Sequence, residues 1–70
     1  MKPGMNSFQK VQVHHYWIWL CTDSHEWATY ISTSPRESST DRGHYFLDYS
    51  AAVADFNQRV KQYSKQRIFA

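Results

Sequence analysis

Four histidines, His14, His15, His25 and His44, and one cysteine, Cys21, are the residues of this 70-residue chain best suited to bind a metal or carry a proton. Zinc accepts imidazole nitrogen and thiolate sulfur in a tetrahedron, so the ligand types are present. The spacing is wrong for it. Adjacent histidines on a strand point to opposite faces, and no Cys-x-x-Cys or His-x-x-x-His pair brings two ligands to one place. No metal site and no cofactor are expected. Cys21 near His25 is the one local thiol and base pairing that nucleophilic catalysis could use. A metal-free ribonuclease needs a histidine for proton transfer and cations to hold phosphate, types that His14, His15, His44, Arg36 and Arg42 could supply. No catalytic residue is assigned.

The elements that must position these groups follow from periodicity. From Gln9 the chain is rich in Val, Ile, Tyr and Trp, side chains that pack well on a pleated surface, and a first strand is expected over 9–21. Thr22 to Glu26 is polar, and Asp23 and Ser24 can close a turn by bonding their own neighbouring amides. A second, antiparallel strand is expected over 26–33. The segment 32–43 (STSPRESSTDRG) is polar, contains Pro35, lacks periodicity and reads as an exposed loop. HYFLDY, 44–49, is a third strand, and Ser50 stands where an N-cap hydroxyl would open a helix. Val53, Phe56, Val60 and Tyr63 then fall three and four residues apart, the stripe of a helix over 51–66.

The expected fold is therefore α+β: a three-stranded antiparallel sheet followed by one C-terminal helix, β-β-β-α, with the helix on one sheet face. A single domain covers 9–67, after a flexible N-terminal segment 1–8 and before a tail 68–70. On the first strand Val11, Val13, His15, Trp17, Trp19 and Cys21 share one face, while Gln12, His14, Tyr16, Ile18 and Leu20 share the other. The first is the more apolar, and the helix is expected to cover it. A strand advances about 3.3 Å per residue and a helix about 1.5 Å, so one helix leaves part of such a strand uncovered. Tyr16 and Ile18 should then belong to an open aromatic face.

Composition limits the alternatives. The chain is 41% hydrophobic and 17% aromatic with 2 Gly and 2 Pro, which excludes a disordered segment. A lone cysteine excludes an internally disulfide-bonded miniprotein and points to a reducing compartment, and the expectation is a soluble cytoplasmic protein. The longest uncharged run, Val11 to Thr22, falls short of the roughly 20 residues a membrane span needs. A net charge of +2 permits nucleic-acid binding without demanding it. So short a chain also gains from self-pairing, and a homodimer is expected over a monomer.

At the level of architecture, the order β-β-β-α and the junction HYFLDYSAAVADF resemble the arm-binding domains of phage-type integrases and the plant AP2 domain. Those lay a three-stranded sheet in the DNA major groove. This chain departs from them in having only Lys10 as a cation on its first strand. A sheet-borne histidine is similarly placed in the HicA family of small ribonuclease toxins, whose first helix and Gly-Ser-His signature are missing here. No family is identified.

The leading expectation is a non-enzymatic interaction module, an adaptor or inhibitor like those of phages and mobile elements. It would dock on a larger protein through an aromatic sheet face and a basic loop. Tyr16, Trp27, Tyr30, Arg36 and Arg42 are its expected contacts, since Tyr, Trp and Arg dominate binding hot spots. The nucleic-acid alternative would use Lys10, Arg59, Lys61, Lys65 and Arg67 against phosphate. A metal-independent ribonuclease is the third reading.

Overall fold

The uncharged run from Val11 to Thr22 forms two strands, not one. In the computed structural model, which describes residues 2–65 (for Glu37 the backbone alone), β1 spans Asn6–Val13 and β2 spans Tyr16–Thr22. They form a hairpin in which Val13 pairs with Tyr16, and His14 and His15 make the turn. His14 adopts a left-handed φ of 56°, a conformation that histidine tolerates better than most residues with a Cβ. Its Nε2 donates to the carbonyl of Ser64, 3.0 Å away, so the turn also ties down the last turn of the helix.

The second turn follows the sequence reading closely. Asp23 Oδ1 accepts the N–H groups of His25 and Glu26, each at 2.9 Å, and β3 (Trp27–Ser32) returns antiparallel to β2. These two amide bonds, Glu26 first, hold the Asp23 carboxyl below its ordinary range. A short 3₁₀ turn over Glu37–Ser39 interrupts the polar loop, and β4 begins at Asp41, inside the stretch expected to be loop. The sheet is four-stranded and antiparallel in the order β1-β2-β3-β4. The α+β class with one C-terminal helix holds, and the extra strand comes from the histidine hairpin.

Helix α1 spans Tyr49–Ser64. Its N-cap is Asp48, not Ser50: the Asp48 carboxylate accepts the Ala51 N–H at 3.1 Å and the Ser50 hydroxyl at 2.5 Å. An ionised acceptor makes stronger hydrogen bonds than a hydroxyl, and the same two bonds, the hydroxyl's foremost, lower the Asp48 pKa. Ala52, Phe56, Arg59 and Tyr63 are the buried residues of the helix, with Val53 and Val60 half-buried beside them.

On β2 the helix covers the opposite face from the one expected, while Val11 and Val13 lie beneath it as expected. Val13, Ile18, Leu20 and Ile31 pack with Ala52, Phe56 and Tyr63, and Tyr16 meets Tyr63 edge-on at 4.8 Å. Ile18 and Leu20 are thus at the centre of the main core. The reason is the hairpin: with a turn at His14 and His15, Val11 and Val13 lie beside Ile18 and Tyr16 on a single face, which a continuous strand would have separated.

The far face carries its own core of Met5, Trp19, Cys21, Ala28 and Tyr30, with Trp17 at its margin. No helix lies there. Met5 is buried in it, the Lys2 backbone N–H donates to the Tyr30 hydroxyl at 3.1 Å, and the Lys2 ammonium pairs with Glu26. That pairing raises the Lys2 pKa. Lys10 lays its ammonium over the rings of Trp19 at 4.8 Å and Trp17 at 5.4 Å, and Trp19 Nε1 donates to Ser32 Oγ at 2.8 Å. Burial, then the bond to Tyr45, pushes the Tyr30 phenol well above its ordinary pKa.

Gly43 is required by this second core. A Cβ there would lie 2.7 Å from both Tyr30 Cε1 and the Tyr45 hydroxyl. Tyr45 is exposed and can swing away, but Tyr30 is buried and cannot. Gly43→Ala is expected to cost about 1–3 kcal/mol by overpacking, measured by chemical denaturation. A loss below about 0.5 kcal/mol would mean that Tyr30 is held far more loosely than its burial implies.

Candidate functional site

Most of the aromatic surface left open lies at one end of the sheet, while Tyr45, 48% exposed, stands apart from it beside Tyr30 on the far face. Phe8, at a bulge in β1, meets Trp27 at 5.2 Å between ring centroids, and Trp27 meets Tyr49 at 4.7 Å, both edge-on. Phe8 and Tyr49 complete the triangle at 6.3 Å. Phe8 is 57% exposed and Tyr49 48%, and Leu47, two residues before Tyr49, is 87% exposed. Three rings and a leucine therefore share one end with Glu26 and Asp48, which flank Trp27 and Tyr49 in the chain. The rings pack edge-on against one another and do not surround an open space, so this is a self-packed cluster and not an aromatic cage.

A polar network joins helix to sheet between the two ends. Thr29, fully buried on β3, donates to Asp55 Oδ2 at 2.5 Å, and Arg59 Nε lies 3.4 Å from the same oxygen. Arg59 Nη2 donates to the carbonyl of Arg42 at 2.7 Å, while its Nη1 is buried with no acceptor among the described residues. Burial lowers the Arg59 pKa and the charge of Asp55 opposes that shift. His44 Nδ1 donates to Asp55 at 3.1 Å. A carboxylate that fixes an imidazole is half of an acid-base site, but His44 lines neither of the two concavities described below, and its partner Asp55 is occupied in neutralising Arg59.

The opposite end holds a cavity of about 240 Å³, lined by Tyr16, Ile31, Ser32, Thr33, Ser39, Asp41 and Arg42. Arg42 has φ 56°, left-handed, and lies in a bulge where β4 carries an extra residue against β3. A shallower groove on the helix is lined by Gln58, Lys61, Gln62 and Lys65.

The expected contacts are thus divided. Trp27 belongs to the aromatic end, whereas Tyr16 and Arg42 line the cavity at the other, and Arg36 is exposed in the loop after β3. Tyr30 is buried in the far core and has no surface to offer a partner. The cations expected against phosphate are divided too. Arg59 is buried, Lys10 lies on the far face over two tryptophans, and Lys61 and Lys65 are on the helix. Arg67 and the tail 68–70 lie outside the described residues.

Cys21 is fully buried on the far face while His25 is exposed in the β2–β3 turn, so they do not form a nucleophile and base pair. No group of three metal-binding side chains occurs among the described residues, and none of their helices is long and apolar enough to cross a membrane. Sequence reasoning missed Phe8, Leu47 and Tyr49, whose exposure depends on which strand ends meet. It also missed Asp55 with Arg59, although an acid four residues before a base on one helix was a readable signal. Comparison with known proteins yields no match: no family model, no curated protein and no solved structure matches this chain.

Proposed function

We propose that this protein is a small non-enzymatic interaction module, an adaptor or inhibitor, that docks on a larger protein through its aromatic end. The observation that carries this reading is the exposed cluster of Phe8, Leu47 and Tyr49 around Trp27. Apolar surface gathered in one place on a small domain marks an interface, and aromatic side chains supply most of the energy of such contacts.

The chemistry of the partner follows from the rim. Asp23 and Asp48 are held ionised by backbone and hydroxyl donors, and Glu26 adds a third carboxylate, paired with Lys2. The partner therefore presents an apolar side chain flanked by Lys or Arg, which can also lie against the ring faces. A second copy suits this end less well, because a two-fold dimer would set like acids against each other.

Panning a random peptide library on the immobilised protein tests this reading. The expected consensus places Leu or Phe next to basic residues, and its binding weakens at least tenfold in a Phe8→Ser, Leu47→Glu variant whose circular dichroism is unchanged. No enrichment, or enrichment that survives both substitutions, overturns the proposal.

A further inference from the structure

The geometry points to a second site, independent of the aromatic end, in which the cavity between β2, β4 and the loop before β4 binds a guanine base. Three features of Asp41 and Arg42 carry it. First, consecutive residues on a regular strand point to opposite faces, yet both line this cavity. The left-handed φ of 56° at Arg42, within the β4 bulge, is what allows this.

Second, that conformation is unfavourable for arginine and natural for glycine, and Gly43 stands next to it in the chain. The arginine side chain returns little to the fold. It makes a long 3.4 Å contact to the Tyr63 hydroxyl, and it forms no ion pair among the described residues. A strained residue whose side chain does so little for the structure is a candidate for a role in binding.

Third, Asp41 and Arg42 are not paired with each other. The Asp41 carboxylate accepts the backbone N–H of Arg42 at 2.8 Å and makes no ion pair within the described chain. The cavity therefore offers an acceptor and a donor side by side. A cationic group seated between them would be repelled by Arg42 and an anionic one by Asp41. A neutral group that carries a donor edge next to an acceptor edge satisfies both, and charge elsewhere on the ligand lies outside this pair.

Guanine is such a group: N1–H and the N2 amino group donate, while O6 and N7 accept, the pair that arginine reads in nucleic acids. Tyr16 and Ile31 provide apolar wall for the ring, and Thr33 provides a hydroxyl, whereas Ser39 Oγ is engaged by the Arg36 carbonyl at 2.8 Å and by Ser34 Oγ at 2.9 Å. A zwitterionic amino acid would also satisfy the two charges. Exposed ion pairs contribute little, however, whereas stacking a base on an aromatic ring contributes substantially, so the tyrosine favours the base.

Calorimetric titration of the intact protein with guanosine 5′-monophosphate tests this, with adenosine and inosine 5′-monophosphates, ribose 5-phosphate and leucine as comparators. Guanosine monophosphate should bind saturably and at least tenfold more tightly than the adenosine nucleotide, whose donor and acceptor edge is reversed. The inosine nucleotide, lacking the N2 amino group, should fall between them. Arg42→Gly should abolish binding without lowering the melting temperature, and Asp41→Asn should remove the preference for guanine.

The pentanucleotide UUGUU separates the sources of the base: tighter binding than the mononucleotide identifies a single strand, and equal or weaker binding a free nucleotide. Equal binding of adenosine monophosphate, of ribose 5-phosphate or of leucine overturns the proposal. So does unchanged binding by a folded Arg42→Gly variant.

Discussion

Asp55→Ala should remove most of the stability of this protein at room temperature. Among the described residues Asp55 is the only carboxylate paired with Arg59, whose side chain is 5% exposed, and it is also the acceptor for the fully buried Thr29 hydroxyl. Removing one partner of a buried ion pair costs about 3–5 kcal/mol, because the remaining charge stays out of water without compensation. A chain of this size has a total stability of about 3–5 kcal/mol, so the loss is comparable with the whole. Arg59 Nη1, already without an acceptor among the described residues, makes the site less tolerant still.

The cycle is completed by Asp55→Ala with Arg59→Met, which removes both charges and leaves an apolar side chain on the buried helix face that carries Phe56 and Tyr63. That double variant should recover most of the lost stability in urea denaturation. Asp55→Asn should fall between, since it keeps an acceptor for Thr29 without neutralising the cation. A single Asp55→Ala variant within about 1 kcal/mol of the parent would show that the network is a surface feature and that Arg59 reaches water.

Trp19→Ala tests whether the far face is a true second core. Trp19 is 1% exposed, its indole N–H is bonded to Ser32 Oγ, and the Lys10 ammonium lies over its ring. Replacing a buried aromatic by alanine costs about 3–5 kcal/mol through lost transfer energy and the cavity left behind. The expected midpoint shift matches that of Phe56→Ala beneath the helix. If the far face were only a cover of flexible chain, segment 2–5 would close over the gap and the loss would be a fraction of that for Phe56. Trp19→Phe should cost less, since it keeps an aromatic ring in place and loses the bond from the indole N–H while Ser32 Oγ still donates to the Ser34 carbonyl at 2.6 Å.

Much of the secondary structure was legible. The Asp23 turn, the second strand and the helix could be read because each has a local cause: an Asx side chain bonding nearby amides, β-branched and aromatic residues, and apolar side chains at helical spacing. The histidine hairpin was not legible. Its turn contains neither Gly nor Asn, and the residues on either side are uncharged and β-favouring, so the run reads as one strand unless His14 is allowed a positive φ. That single error moved the helix to the wrong face of β2 and lost a strand.

The candidate sites were legible only as residue types. Trp27 and Arg42 were named as contacts, yet they belong to opposite ends of the sheet, and Tyr30 is inside it. Phe8 lies far in sequence from Leu47 and Tyr49, and they come together because the start of β1, the end of β4 and the first turn of α1 meet beside Trp27. Asp41 and Arg42 line one cavity because a bulge lets neighbouring side chains share a side.

From composition and local pattern alone came an α+β chain without a metal-ligand spacing, ending in one helix. These follow from interactions between residues near one another in the chain. Which face the helix covers, that the other face has its own core, and which aromatics stay in water were decided by the tertiary structure. They depend on strand pairing, where one turn inserted into an apolar run reassigns which side chains share a face.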